Sequence, residues 1–451
     1  MPLNRLQSTD VSYYDSAART KVVKFHISLT FLYKALAIGL SYLLVPLTIN
    51  YLNIEQYGIW MTLLSIMSWV AFFDIGLGNG MRNKLAEALA MNNIRLAKTY
   101  VSTGYIAVSF IALIFFVMLL SMLAFAPWNK IFNTTSVSNT ELLKVVFVVG
   151  FFFLFNFILS LCNQIFYAYQ NASLASMGQL LLNLFALIAI YLLINYTSGR
   201  LLFLGICYGL SMVSSNIVLT YYFYKRHKEI IPSMGYVDLR KIKEIGSLGL
   251  KFFIIQIAVL VIFATDNMII TQVLGPEQVT PYNVVFKLFS IITVIHGIIL
   301  TPLWSAFTEA YAKGDINWIR NTLKTLNMLM IPIVAAVVIL IIFARDIINV
   351  WIGSDIRFPH LLVLLMGTFT VISVWNNIYA FFVNAIGRIK PQMYSAILGG
   401  LINIPLSIYF AKYLNLGING VILGTIISLC FFAVIGPMQT HFILEKDKSQ
   451  E

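Results

Sequence analysis

The chain has 451 residues, of which 59% are hydrophobic and only 11% are charged. An average soluble domain is about 45–50% apolar and about 25% charged, so this composition excludes an ordinary soluble enzyme. The formal net charge of +12 would suggest nucleic acid binding in a soluble protein, but in a membrane protein the position of each basic residue matters more than the total. We therefore expect an integral membrane protein that lies in a lipid bilayer and binds no nucleic acid.

Apolar runs long enough to cross a bilayer occur about twelve times along the chain. They occupy residues 25–50, 57–79, 100–127, 142–168, 174–195, 201–224, 248–274, 281–307, 323–344, 360–385, 392–414 and 418–441. Each is predicted to be a helix, because an open strand in hydrocarbon would leave its backbone groups unpaired. The first run is too long for the core of a signal peptide and lacks a small-residue cleavage site after it, so we expect it to remain as a membrane helix. The predicted fold class is an all-α integral membrane protein.

The positions of the basic residues predict how the spans are oriented. Of the 30 Lys and Arg residues, about 22 fall on the side of the N-terminus, about six on the opposite side and about two inside spans. The richest stretches are residues 82–98 and 225–251. Because basic connections stay in the cytoplasm, this distribution predicts that the N-terminus and the C-terminus are both cytoplasmic.

Two short matches relate the halves of the chain on either side of the second basic stretch. The turn at residues 52–56 matches the turn at 274–278, and residues 87–94 match residues 309–316. Both matches have an offset of about 222 residues, as a duplication of six helices would leave. We expect two six-helix lobes that face each other across a cavity. The predicted divisions are a cytoplasmic segment 1–24, an N-lobe 25–224, a basic cytoplasmic linker 225–247, a C-lobe 248–441 and a cytoplasmic tail 442–451.

Ionisable residues inside membrane spans are costly, so the few present here are the first candidates for a transport site. They are Lys34, Asp74, Asp266 and Lys287, with His296 as a weaker fifth candidate. A rise of about 1.5 Å per residue places the first two at one depth near the cytoplasm and the next two at one depth nearer the outside. Adjacent antiparallel helices would then pair Lys34 with Asp74, and Asp266 with Lys287.

These pairs have two interpretations, and the sequence leaves both open. They either hold helices together, or one or both lysines meet an anionic substrate while the acids tune their charge or exchange protons. Asn183 and Asn403 occupy similar places in two spans, and either bond to neighbouring helices or contact sugar hydroxyls. The three cysteines lie in apolar runs without metal-ligand spacing, so we expect no metal site and no cofactor.

Short motifs in both halves of the chain resemble those of a known family. In the first half they are Pro46-Leu47, Tyr57-Gly58-Ile59-Trp60 and the stretch at residues 73–86. In the second half they are Asp266, the turn at 274–278, and Tyr282 followed by Lys287. This pattern resembles the bacterial O-antigen and polysaccharide flippases of the multidrug/oligosaccharidyl-lipid/polysaccharide exporter superfamily, which also holds the multidrug and toxin extrusion transporters.

The resemblance implies about twelve helices in two six-helix lobes, with the multidrug and toxin extrusion fold and alternating access. It implies that the protein carries an undecaprenyl-diphosphate-linked oligosaccharide across the bacterial inner membrane, with glycan polymerase and chain-length proteins as candidate partners. A diphosphate that crosses a low-dielectric core needs cations, and Lys34 and Lys287 are the fixed cations inside the predicted spans.

Two other classes of function compete with this interpretation. Cation-coupled efflux of drugs or small solutes would use Asp74 and Asp266 to bind the coupling ion. A membrane enzyme, such as a glycan polymerase, would need an aqueous loop with acid, base or metal-binding groups. The outer connections are short and nearly bare of His and carboxylates, so we expect a transporter and not an enzyme.

Overall fold

The computed structural model describes residues 16–72, 76–169, 171–246, 257, 260–261, 264–353 and 356–448. This part of the chain forms helices joined by short turns and contains no strand. It includes 10 helical segments that are long and apolar enough to cross a membrane. Each of them overlaps one of the predicted spans, so the all-α, multi-pass class is confirmed.

The N-lobe, here the helices up to residue 226, is built around two buried apolar clusters. Its helices are α1 (Ser16–Tyr51), α2 (Ile54–Phe72), α3 (Leu77–Ala90), α4 (Ile94–Phe125), α5 (Trp128–Ile131), α6 (Asn139–Leu159), α7 (Leu161–Ala168), α8 (Ala172–Tyr196) and α9 (Leu201–Arg226). α1 packs against α8, α8 and α6 pack against α9, and α4 packs against α6 and α3. One cluster surrounds Leu85 and Ile165, and the other surrounds Ile59 and Leu204.

A basic linker follows and lies against the N-lobe rather than apart from it. It contains two short 3₁₀ turns (Lys228–Ile230 and Met234–Tyr236) and α10 (Lys241–Gly246). The amide of Asp238 donates to Thr103 Oγ1 over 3.0 Å, and Ile245 is fully buried. A Cβ on Gly80 would lie 1.8 Å from the Ile245 carbonyl oxygen, so only glycine in α3 allows α10 to approach this closely.

The C-lobe, here the described helices from residue 264 onward, has one continuous core. Its elements are α11 (Asp266–Leu274), a 3₁₀ turn (Pro276–Gln278), α12 (Val279–Ala312), α13 (Ile316–Met328), α14 (Met330–Ile352), α15 (His360–Ala385), α16 (Lys390–Ile408), a π-helical turn (Tyr409–Tyr413) and α17 (Ile418–Lys448). α17 packs against α16 and α15, and α15 packs against α12 and α14. The core extends into the other lobe, because Val45, Ile49 and Tyr57 belong to it.

Two of the twelve predicted spans do not correspond to a single long helix in the described residues. Residues 57–79 were predicted as one helix, but α2 is described as far as Phe72, and a turn at Gly76 precedes a new helix that starts at Leu77. Gly76 precedes that start with a φ of 73°, a left-handed conformation that favours glycine and turns the chain. Most of the predicted span 248–274 lies outside the described residues, and α11 forms its last part.

Candidate functional site

The two lobes are joined by hydrogen bonds that, among the described residues, lie toward the ends predicted to face outward. Thr62 and Thr271 share a hydrogen bond of 2.6 Å between their hydroxyl oxygens. Nearby, the Asn267 amide donates to Ser65 Oγ over 2.7 Å, and the Asn133 amide donates to the Thr271 carbonyl over 3.0 Å. These bonds are between uncharged groups. We call this set of contacts the outer seam.

The two turns that match in sequence meet each other in the outer seam. Thr280 Oγ1 donates to the Ile54 carbonyl over 2.6 Å. A Cβ on Gly58 would lie 1.7 Å from the Pro276 carbonyl oxygen, so glycine at this position lets α2 pack directly on the partner turn. The equivalent acids Glu55 and Glu277 line one cavity of about 800 Å³ beside the seam. The internal repeat therefore corresponds to a physical contact between the lobes.

Lys287 of α12 lies at the boundary between the lobes and contacts α1. Its Nζ donates to Ser41 Oγ over 3.1 Å and lies 4.9 Å from the centre of the Tyr42 ring. The Tyr42 hydroxyl in turn donates to the Lys287 carbonyl over 2.6 Å, and Trp351 Nε1 donates to the Tyr42 carbonyl over 3.0 Å. A cation over an aromatic face is favourable, more so where water is excluded. The side chain of Lys287 is thus held by a hydroxyl and a ring.

Lys34 lies on the same face of α1 as Ser41. The two positions are seven residues apart, which corresponds to about two helical turns, or about 10 Å along the axis. The Lys34 side chain is exposed. Lys34 and the Ser41 hydroxyl that Lys287 contacts therefore lie along one face of α1, with Lys34 closer to the N-terminus.

Asp266 is buried in the C-lobe within a cluster of hydroxyl and amide groups. The helix α11 begins at this residue, after a bend at Thr265. The Tyr282 hydroxyl donates to Asp266 Oδ2 over 2.5 Å, and Thr425 Oγ1 lies 3.1 and 3.2 Å from the two carboxylate oxygens. Asn403 Nδ2 contacts Thr425 Oγ1 at 3.1 Å. The cluster joins α11, α12, α16 and α17 and places two hydroxyl groups against the carboxylate.

The predicted ion pair between Asp266 and Lys287 was wrong. Both residues are described, and each has the other partners given above in place of a salt bridge. Depth along two helices fixes the height of each side chain but not the direction in which it points. Lys287 points across the lobe boundary, whereas Asp266 points into the C-lobe.

Of the remaining predicted residues, only His296 belongs to the described part of the chain. Asp74 lies outside the described residues, so the structure does not address the pair with Lys34. His296 is 1% exposed, and its ring nitrogens have no hydrogen-bond partner in the described part of the chain. It lies on α12 about 14 Å along the axis from Lys287. Across the described residues, no group of three or more His, Cys, Asp or Glu side chains is arranged to hold a metal ion.

Several contact residues were not predicted from the sequence, because their partners are distant in sequence. Ser41 and Tyr42 contact Lys287, Trp351 contacts Tyr42, and Thr425 contacts Asp266. Their signal was weak, since each is a single polar or aromatic residue in an apolar run. The two asparagines left open bond to neighbouring helices. Asn183 Nδ2 donates to the Ala37 carbonyl over 2.7 Å, and Asn403 joins the Asp266 cluster through Thr425.

Along most of its length the chain is similar in sequence to proteins that are described as O-antigen exporters. An O-antigen export protein of Yersinia pseudotuberculosis is 22% identical over 407 residues, which cover 88% of this chain and 90% of the relative. An O-antigen transporter of Salmonella typhimurium is 26% identical over 437 residues, which cover 92% of this chain and 95% of the relative.

The fold is also that of solved transporters. The structure matches the inward-facing conformation of a multidrug resistance transporter of the MATE family, within the MOP superfamily. The TM-score is 0.69 at 16% sequence identity, over 95% of this chain and 99% of the other. This likeness confirms the predicted multidrug and toxin extrusion fold.

Two family profiles match the sequence. The MatE profile matches residues 252–409. The profile described as polysaccharide biosynthesis protein matches residues 25–308, which is more than half of the chain. The chain belongs to this family of polysaccharide biosynthesis proteins.

Proposed function

We propose that the protein is a flippase that moves a polyprenyl-diphosphate-linked oligosaccharide, such as an O-antigen repeat unit, across the bacterial inner membrane by alternating access. The family and the relatives described as O-antigen exporters support this substrate class. The observation that carries the proposal is Lys287. This half-buried cation lies between the lobes and has no carboxylate partner among the described residues.

A buried cation without an acid partner is suited to an anionic ligand. Charges are costly to bury alone, and an opposite charge that arrives with the substrate offsets that cost. A diphosphate supplies that charge, and in low dielectric its attraction to an ammonium group is much stronger than in water. Ser41 and Tyr42 hold Lys287 through a hydroxyl and a ring face, which a diphosphate can displace. Lys34 supplies a second cation on α1, about 10 Å along the helix axis from Ser41.

The outer seam gives the proposal a direction. In our assignment the seam faces the periplasm, and both chain termini and the basic linker face the cytoplasm, following the distribution of Lys and Arg. The structure then represents the state closed toward the periplasm. The diphosphate would meet Lys34 first and Lys287 next, and the seam would open to release it. Glycan polymerase and chain-length proteins would act on the product after release.

The proposed moving bodies are the two lobes. The N-lobe would move together with its linker, because Thr103 and Gly80 hold residues 238 and 245 against it. The C-lobe would move as a second unit, because one continuous core holds its helices together. The uncharged hydrogen bonds of the outer seam suit a contact that forms and breaks in each cycle, since their net contribution is about 0.5–1.5 kcal/mol each.

Cation-coupled transport is a second candidate function, and one observation favours it. The Asp266 carboxylate lies in the C-lobe against the hydroxyls of Tyr282 and Thr425. Intramembrane acids of this kind mark ion or proton sites in transporters. The ion could drive flippase activity, or it could drive efflux of a drug or small solute in place of flippase activity.

Deletion of the gene in its host, followed by analysis of surface glycan and lipid-linked intermediates, tests the proposal. We expect loss of surface glycan, with its repeat unit retained on the cytoplasmic leaflet, and full recovery with the wild-type gene. Normal glycan combined with altered sensitivity to drugs or solutes would contradict the flippase proposal and support the efflux candidate.

A further inference from the structure

A cavity of about 300 Å³ lies inside the C-lobe, apart from the Asp266 cluster. Residues of α12, α15, α16 and α17 line it. Its apolar wall includes the rings of Phe286, Phe289, Phe369 and Phe432. Its volume is at the lower end of the range for small-molecule sites, so it fits one ring-sized group rather than a whole oligosaccharide.

Three polar side chains that line this cavity have an oxygen atom without a hydrogen-bond partner among the described residues. They are Ser373 Oγ, Asn376 Oδ1 and Gln392 Oε1. Asn376 uses its Nδ2 to donate to the Leu429 carbonyl, so its free oxygen is an acceptor. A buried polar group left without a partner costs about 1–3 kcal/mol. In this structure each of these oxygens is covered by neighbouring atoms, so a ligand reaches them when the side chains rotate toward the cavity, and its hydrogen-bond donors then remove this cost.

The other hydroxyls of the lining are acceptors as well. Five hydroxyls each donate to a carbonyl of their own helix, which leaves oxygen lone pairs available; they belong to Ser290, Thr293, Thr370, Ser395 and Ser428. None of the lining residues in the described part of the chain is acidic or basic. The cavity therefore combines aromatic faces with uncharged acceptors.

We propose that this cavity binds one uncharged sugar of the transported glycan, an inference that rests on the proposed flippase function. A pyranose ring has apolar C–H faces that pack on aromatic rings and hydroxyls that donate to acceptors. An acyl or prenyl chain would leave the three oxygens unpaired, and an organic cation would find no carboxylate. The cavity thus selects a neutral, hydroxyl-bearing ligand.

The position of the cavity relative to Lys287 supports the same assignment. Ser290 lines the cavity, and its Oγ lies 3.2 Å from the Tyr42 hydroxyl next to Lys287. On α12, Ser290 follows Lys287 by about one helical turn. A lipid-linked glycan could then place its diphosphate at Lys287 while a sugar occupies the cavity. The sugar would decide which glycans are carried, and the lysine would attract any of them.

The test uses the repeat-unit oligosaccharide after its release from the polyprenyl carrier by mild acid. Binding to the full-length protein in nanodiscs is measured by ligand-observed NMR. We expect Ser373→Ala to weaken binding about tenfold, because one hydrogen bond to the sugar is lost. The unliganded variant should be at least as stable as wild type, since the removed hydroxyl oxygen has no partner.

Two further variants make the test specific. Ser215→Ala is the matched control, because this buried serine of the N-lobe donates to its own helix and lies outside the cavity. It should bind as wild type. Ala396→Phe places a ring in the cavity from α16 without removing a polar group, and it should abolish binding. Normal binding by folded Ser373→Ala and Ala396→Phe proteins would overturn the assignment.

Lys287→Ala separates this inference from the proposed function. It should bind the released glycan normally, because that probe lacks the diphosphate, yet it should fail to move the lipid-linked form. A wild-type protein that flips the glycan but binds no released glycan would overturn the sugar site and leave the flippase proposal standing. Binding that depends on Ser373 in a protein that restores no surface glycan would overturn the flippase proposal instead.

Discussion

The indole Nε1 of Trp351 donates a 3.0 Å hydrogen bond to the main-chain carbonyl of Tyr42. Pro46 follows Tyr42 by four residues within α1, and because proline has no N–H, the helix cannot bond this carbonyl itself. The donor comes from the end of α14 in the C-lobe. The rings of Tyr42 and Trp351 also lie 5.4 Å apart. A proline in one lobe thus creates an acceptor that the other lobe uses.

This relationship predicts that the effects of Trp351 and Pro46 substitutions are coupled. Trp351→Phe keeps a ring but removes the donor, so we expect it to lower stability by about 1–3 kcal/mol. In a Pro46→Ala background, the new amide at position 46 can donate to the Tyr42 carbonyl. The loss caused by Trp351→Phe should then be smaller by about 1 kcal/mol. Thermal unfolding of the four proteins in detergent measures this coupling, and equal losses in both backgrounds would contradict it.

Sequence patterns predicted the membrane helices because hydrophobicity and length are local properties. The runs at 201–224 and 360–385 agree closely with α9 and α15. The break between α2 and α3 was not predicted, because no loss of hydrophobicity marks it. The chain turns there at Gly76, which has a left-handed backbone conformation. The repeat at residues 52–56 and 274–278 was visible in the sequence. Its consequence, that the two turns pack on each other at Gly58 and Pro276, was not.

The candidate site could be predicted only in part. The cost of burying charge identified Lys287 and Asp266 without knowledge of the fold. Their partners depend on how each helix is rotated, and this is set by packing between distant segments. Tyr42 is 245 residues away from Lys287, and Thr425 is 159 residues away from Asp266. No periodicity within a single span contains that information.

The role proposed for Lys287 predicts different results for two substitutions. Lys287→Ala removes the charge, and we expect it to reduce flipping at least tenfold in the complemented deletion host, at equal amounts of inserted protein. Lys287→Arg keeps a cation and should retain most activity, because a guanidinium binds phosphate well. Surface glycan and retained lipid-linked intermediate are the readouts. Flipping by the Ala variant at the wild-type level would exclude Lys287 from the mechanism.

The outer seam predicts that a covalent link between Thr62 and Thr271 stops transport. Their hydroxyl oxygens are 2.6 Å apart, close to the spacing of about 2 Å in a disulfide. Cysteines at these two positions, in a protein whose Cys162, Cys207 and Cys430 are replaced by Ala, should cross-link under mild oxidation. The cross-linked protein should not flip substrate, and reduction should restore activity. Each single-cysteine protein serves as a control and should be unaffected by oxidant.

The close contact between Gly58 and Pro276 predicts how a larger side chain at residue 58 affects closure of the outer seam. A Cβ in Gly58→Ala would lie 1.7 Å from the Pro276 carbonyl oxygen, so α2 and this turn must separate. Overpacking of this kind costs about 1–3 kcal/mol, and we expect slower cross-linking of the 62–271 cysteine pair. Gly39→Ala is the matched control in α1, because a Cβ there meets nothing within 4 Å. Equal cross-linking rates in both variants would contradict the close contact at Pro276.

Substitution of Asp266 tests whether transport is coupled to an ion. Asp266→Asn keeps an acceptor for Tyr282 and Thr425 but removes the negative charge that would hold a proton or a cation. If an ion binds here, flipping in proteoliposomes should be accelerated by a sodium or proton gradient in wild type and at least tenfold less so in this variant. Transport without a gradient should continue, because Lys287 and the outer seam are intact.

Thr425→Val keeps the charge and the side-chain shape but removes a hydroxyl from both carboxylate oxygens, so it should weaken coupling less than Asp266→Asn. Equal acceleration by the gradient in wild type and Asp266→Asn would show that this cluster only holds α11, α12, α16 and α17 together.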